Sequence, residues 1–125
     1  MIPYLRLTFT LRALAPARLP AFQGSMLRGA FGHALRRTVC SMGPEQTCES
    51  CRLRRACVYT RLFETFIEGE PPPLMRGLPT SPRPYVFEPA FDPTTAASAE
   101  PRLFAPGDPL TFDLLLLGQA TDLQA

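Results

Sequence analysis

Proline and glycine set the limits on this chain. Fifteen prolines and eight glycines are spread through its 125 residues, so long regular elements must be few. Between Gly69 and Pro84 half of the residues are one or the other, which predicts an exposed loop. What remains regular must be short, and it must share one core. The length fits a single domain, residues 1–125, able to bury about two-thirds of its unfolded surface. An apolar fraction of 46% supplies material for that core.

Residues 4–12 alternate cleanly. Leu5, Leu7, Phe9 and Leu11 point one way, and Arg6, Thr8, Thr10 and Arg12 the other, which predicts a half-buried strand. Ala13 to Phe22 reads as a connection. Ser25 stands where an N-cap belongs, and Met26, Leu27, Ala30, Phe31, Ala34, Leu35 and Val39 follow at helical spacing. Opposite that stripe the wheel puts Gly29, Gly32, His33, Arg36 and Cys40. Val58 to Ile67 reads as a short helix, with Tyr59, Leu62, Phe63 and Phe66 on one side. Tyr85 to Phe87 is a short strand confined to a sheet edge by Pro84 and Pro89. Pro106 to Pro109 is a turn, and Leu110 to Leu117 a second long strand, with Leu114–Leu117 read as buried on both faces. Gly118 to Ala125 looks like the entrance to a further helix. The order, β-α-(Cys loop)-β-β, is an α+β plan, two-thirds of a ferredoxin-like β-α-β-β-α-β unit lacking its last α-β. It reads as a fragment of a longer protein, against a complete small α+β domain with a polar tail.

Cys40, Cys48, Cys51 and Cys57 are all the cysteines in the sequence. The spacing C-x7-C-x2-C-x5-C makes residues 40–57 a loop insertion with four soft donors. No apolar run reaches the roughly 18 residues of a membrane span, and no secretory leader is legible. The expected location is the cytoplasm, where thiols stay reduced and disulfides do not persist. Four thiolates suit a structural zinc ion, with an iron–sulfur cluster as second choice; two chance pairs of buried or redox-active cysteines are the competing reading. The loop's interior (Glu45, Gln46, Thr47, Glu49, Ser50) is too polar to hold itself by burial.

Charge is polarised. Residues 1–62 carry ten arginines against Glu45 and Glu49, whereas residues 63–125 carry three arginines against nine acids. Such a split offers one basic face to a polyanion. Every basic residue is arginine, which suits bidentate phosphate contacts, although a GC-rich coding bias would produce the same substitution. Arg28, Arg36 and Arg37 on the helix and Arg52, Arg54 and Arg55 in the loop are the candidate phosphate-binding residues of a nucleic-acid face, against a solvated face partly paired with Glu64 and Glu68. His33, the single histidine, sits at i−3 and i−4 from Arg36 and Arg37, where an imidazole can act as a general acid or base in phosphodiester chemistry. A solvated helix histidine is the competing reading.

The run Leu27-Arg28-Gly29-Ala30-Phe31-Gly32-His33-Ala34-Leu35-Arg36-Arg37, the four cysteines and the Leu62-Phe63-Glu64 after them resemble the CRISPR-associated endoribonucleases of the repeat-associated (RAMP) superfamily, which process precursor CRISPR RNA. Pro82-Arg83-Pro84-Tyr85-Val86 and Gly107-Asp108-Pro109-Leu110-Thr111-Phe112-Asp113-Leu114 fit the same pattern, so the resemblance spans residues 1–120. It implies a ferredoxin-like RNA-binding domain in an antiviral defence system, the N-terminal one of a longer two-domain protein, with the six arginines named above as its RNA-binding residues. It further implies metal-independent cleavage in which the substrate 2′-hydroxyl attacks the adjacent phosphate, so no catalytic cofactor is expected. His33 matches the family's helix-borne histidine in kind. The sequence has no lysine for the cationic role, leaving Arg36 or Arg37 to stand in. The implied partners are CRISPR repeat RNA, other proteins of the CRISPR complex or a second copy of the chain, and not a membrane. The alternative is a non-catalytic, metal-stabilised nucleic-acid-binding or assembly module; in either case the 125 residues alone would be a poor nuclease.

Overall fold

A computed structural model describes residues 1–90 and 99–124; Ala125, the end of the expected helix entrance, lies outside them. The protein is mixed α+β. In chain order it forms β1 (Tyr4–Arg12), β2 (Ala17–Leu19), α1 (Gly24–Val39), a π-helical turn (Thr60–Glu64), a 3₁₀ turn (Pro73–Met75), β3 (Tyr85–Pro89), β4 (Arg102–Phe104), β5 (Pro109–Leu117) and a 3₁₀ helix (Gly118–Gln124). Among the described residues no helix is long and apolar enough to cross a membrane.

The two alternating segments make the main sheet. β5 lies between β1 and β3 and is antiparallel to both. Phe9 faces Phe112, and Leu114 stands between Leu7 and Phe87, so the period-2 patterns of all three strands coincide on one face. Aromatic rings carry that face across to α1. Phe9 stacks on Phe112 at 5.2 Å, Phe112 meets Phe87 at 6.0 Å, and Phe87 meets Phe31 of α1 edge-on at 5.4 Å. Phe63 completes the set against Phe31 and Tyr85. Leu114, 2% exposed, is the most deeply buried large side chain. Ala120 and Leu123 of the C-terminal 3₁₀ helix close this end of the core.

The opposite face of the sheet is polar at its centre. Arg6 pairs diagonally with Asp113 at 2.7 Å and with Glu88 at 3.1 Å, linking the three strands. Bonds from Thr8 and Arg6 hold the Asp113 carboxyl below its ordinary range.

Several details differ from the sequence expectations. The connection from Ala13 to Phe22 contains β2, which pairs with β4 in a separate two-stranded sheet. Three-residue strands joined across most of the chain leave no periodic signal. α1 starts at Gly24 with Gln23, not Ser25, at the N-cap and no side-chain capping bond. Its inner face is Leu27, Phe31, Gly32 and Leu35, while Ala30, Ala34 and Val39 face outward. Gly32 is buried because Phe63 occupies the space a side chain would need: a Cβ there would lie 2.7 Å from the ring. The short helix after the cysteines ends at Glu64, before Ile67, where Thr65 turns left-handed at φ 50°. β5 is buried through Phe112, Leu114 and Leu116, but Leu115 and Leu117 on its other face are only half-covered. The proline-rich stretch from Gly69 is largely exposed, as its composition implies. Its base is closed by Thr65 and Ser81, with Ser81 N–H donating to Thr65 C=O at 2.9 Å and Thr65 Oγ1 to Ser81 C=O at 2.7 Å.

Candidate functional site

The cysteine loop leaves α1 directly: Cys40 N–H still donates to Arg36 C=O at 2.9 Å. Tight turns then follow one another. Gln46 N–H reaches Gly43 C=O, Cys51 N–H reaches Cys48 C=O, Arg54 N–H reaches Cys51 C=O, and Ala56 and Cys57 both donate to Leu53 C=O. A C-x2-C pair closed by its own turn puts two thiols on one side. The winding loop then returns Cys57 toward Cys40. All four cysteines line a single cavity of about 20 Å³, with Arg36, Met42 and Tyr59 among the other walls. That is room for one water-sized occupant.

All four are free thiols, Cys40 exposed and the others half-buried. Burial pushes the Cys48 thiol up, the nearby Arg36 pulls it down, and Glu64, Cys57 and Cys40 push it up again. No group of three or more His, Cys, Asp or Glu among the described residues stands close enough to hold a metal ion. The loop brings four sulfurs round one space without gathering them into a coordination shell.

The six arginines named from sequence separate into three situations. Arg36 is half-buried and turned toward the loop, its guanidinium 3.4 Å from Gln46 C=O and 5.7 Å from the centre of the Tyr59 ring. Arg28, Arg37 and Arg52 are exposed. Arg54 and Arg55 both reach Glu68, through Nε at 2.8 Å and 3.1 Å. These bonds hold the Glu68 carboxyl below its ordinary range, the Arg54 hydrogen bond foremost. Arg54 is further fixed by a 2.6 Å bond to Glu49 C=O and by lying over the Phe66 ring. His33 is exposed on α1 and lines neither the cysteine cavity nor the groove described next.

Sequence reasoning did not foresee that groove. It has a volume of about 660 Å³, and its walls come from three segments far apart in the chain. The loop's last turn and the π-helical turn contribute Arg54, Arg55 and Arg61. The base of the proline-rich loop adds Phe66, Glu68 and Ser81, and the C-terminal 3₁₀ helix adds Gln119 and Leu123. Thr60 lines both the groove and the cysteine cavity. The arginines of 52–61 were legible as a basic run; the surfaces folded against them were not.

Fold and site together define a small mixed α+β domain that carries a four-thiol loop beside a basic groove. Within that class, the chain belongs to the AF_1859_N family, described as an N-terminal domain, whose model it matches over residues 2–124. No curated protein and no solved structure matches it.

Proposed function

We propose that the chain is the N-terminal, ferredoxin-like RNA-binding part of a cytoplasmic CRISPR RNA-processing protein of the RAMP superfamily, with a structural zinc ion in its cysteine loop. The observation that carries this reading is the groove: two of its three arginines, Arg54 and Arg55, are presented by the loop that carries the thiols, so whatever orders the loop also orders that part of the basic surface. The strand order β1-β5-β3, with the last strand antiparallel between the other two, agrees with the first three strands of a split β-α-β-β-α-β unit. The family's description as an N-terminal domain agrees with a longer parent protein.

Cys40, Cys48, Cys51 and Cys57 are the residues that would hold the metal. Four soft donors suit zinc or iron–sulfur chemistry. A space of about 20 Å³ favours a single ion over a cluster. The ion's contribution is to folding: it makes thiolates favourable and ties the ends of the loop together.

In the nuclease form of this reading, the repeat RNA's 2′-oxygen bonds to the adjacent phosphorus as the P–O5′ bond breaks. His33 gives or takes a proton, with Arg37 near the phosphate. The position of His33 outside both cavities favours the second form, a binding or complex-assembly module without catalysis of its own. Labelled repeat RNA incubated with the full-length parent in chelator separates them. A discrete cut, lost in His33→Ala while RNA remains bound, supports the nuclease; binding without a cut supports the module. Reduced protein should contain one zinc per chain, and finding neither zinc nor iron overturns the metal assignment.

A further inference from the structure

The groove beside the cysteine loop is built around an internal ion cluster whose partners are unevenly satisfied. Arg54 is held on every side, by Glu68, Glu49 C=O and the Phe66 ring. Arg55 shares the same carboxylate through one nitrogen but is 77% exposed. Arg61, on the neighbouring turn, is exposed and has no side-chain hydrogen bond or ion pair among the described residues. The cleft therefore has two guanidinium groups with donors to spare and one carboxylate occupying part of the rest. Its volume falls in the range of sites that hold small organic ligands, about 300–1,000 Å³, and Phe66 gives it an aromatic wall.

We propose that this groove binds the phosphodiester backbone of single-stranded RNA through Arg55 and Arg61, and that Glu68 is a built-in competitor, a carboxylate filling guanidinium donors that an RNA phosphate takes over. Carboxylate and phosphate oxygens accept the same forked N–H pattern, so one can stand in for the other. Arg54 keeps its place during the exchange, because Glu49 C=O and Phe66 hold it independently of Glu68. The inference rests on the RNA-binding reading and goes beyond it. It moves the main phosphate contacts from α1 to the groove, assigns Arg61 a role, and gives a glutamate an inhibitory effect on affinity.

The test is fluorescence anisotropy of the 125-residue chain with a labelled oligouridine of about ten nucleotides, titrated at several salt concentrations. Arg55→Ala and Arg61→Ala should each weaken binding by about tenfold and lower the log–log salt slope by about 0.7, one phosphate contact on a single strand. Glu68→Gln should strengthen binding by about threefold or more and steepen the slope. Arg18→Ala, on β2, is the control for losing a distant positive charge. Wild-type protein that binds no RNA in a salt-dependent way overturns the RNA reading itself. Salt-dependent binding with Arg55→Ala and Arg61→Ala indistinguishable from Arg18→Ala overturns the groove and leaves the RNA reading standing. Weaker binding by Glu68→Gln overturns the competitor role. An oligodeoxythymidine bound equally well supports the groove, because backbone contacts carry no sugar information, and counts against RNA as its particular ligand.

Discussion

The main sheet and the cysteine loop are held by different physics. β1 and β5 pair over nine consecutive positions, and their inner face meets aromatic and aliphatic side chains from α1, the π-helical turn and the C-terminal 3₁₀ helix. In the loop, from Cys40 to Cys57, no residue is buried. It keeps its shape through turn hydrogen bonds and a small polar knot in which Gln46 Nε2 and Thr47 Oγ1 meet Ser50 Oγ at 2.8 Å and 2.7 Å. Exposed bonds of that kind contribute at most about 1 kcal/mol each, set against a comparable ordering cost for every residue they fix. The contrast teaches that burial stabilises the scaffold and cannot stabilise the loop. Four sulfurs around one space are the feature of the loop best suited to supply what burial does not.

The largest effect should come from breaking the sheet's side of the contrast. Leu114→Ala removes a side chain packed on all sides and should cost about 2–5 kcal/mol, read as a fall in the urea midpoint. Because the sheet anchors both ends of the loop's surroundings, amide protection should fall in both regions together.

Next in size is the loop alone. With zinc bound, Cys48→Ser should release the metal and raise hydrogen exchange in 40–57 by about tenfold or more, with β1 and β5 unchanged. A chelator acting on the wild-type protein should reproduce the pattern. A global loss as large as that of Leu114→Ala would erase the distinction between the two regions.

Two glycines three residues apart sharpen the comparison within α1. Gly32→Ala drives a methyl group into the Phe63 ring and should cost about 1–3 kcal/mol. At Gly29 an added Cβ meets nothing within 4 Å, so Gly29→Ala should gain about 0.5–1 kcal/mol from helix propensity. Thermal melts of the pair report the difference directly.

The smallest effect lies on the polar face of the sheet. The Asp113 carboxyl titrates below its ordinary range, so its contribution is fully present above the unfolded value and fades as pH falls below about 4. Thr8→Val removes the first of the bonds responsible and should move the Asp113 titration upward in NMR, with a slight loss of stability at neutral pH.

What the sequence made legible follows the same division. β1 and α1 were readable from their periods and β5 from its leucine run, although the structure covers only part of each pattern, with Leu7 and Leu11 of β1 and Ala30, Ala34 and Val39 of α1 left exposed. The inner face of α1 was misread at Gly32, since a residue without a side chain has no hydropathy to register; its burial is dictated by Phe63, far along the chain. The four cysteines and the basic run 52–61 were visible as composition. Their geometry was not: the inward turn of Arg36 depends on Gln46 C=O and Tyr59, and the groove exists only where the π-helical turn, the proline-rich loop base and the last 3₁₀ helix meet. Glu64 and Glu68 were both readable as partners for the arginines; the fold selects Glu68 by setting it between Arg54 and Arg55.

The narrow closure between Thr65 and Ser81 has a consequence for how this domain can vary in length. The two residues exchange bonds through backbone and side chain, and Phe66 bridges Thr80 just inside, so the proline-rich excursion beyond them leaves the scaffold and returns at one neck. Closing such an excursion costs only about 0.6 kcal/mol more for each doubling of its length. Its outermost part, from Pro73 to Gly77, lines no wall of the groove. Extra residues or a reporter peptide added there would enlarge the excursion and leave strand register, thiols and arginines where they are, which makes that tip the natural point of attachment for a label on this domain.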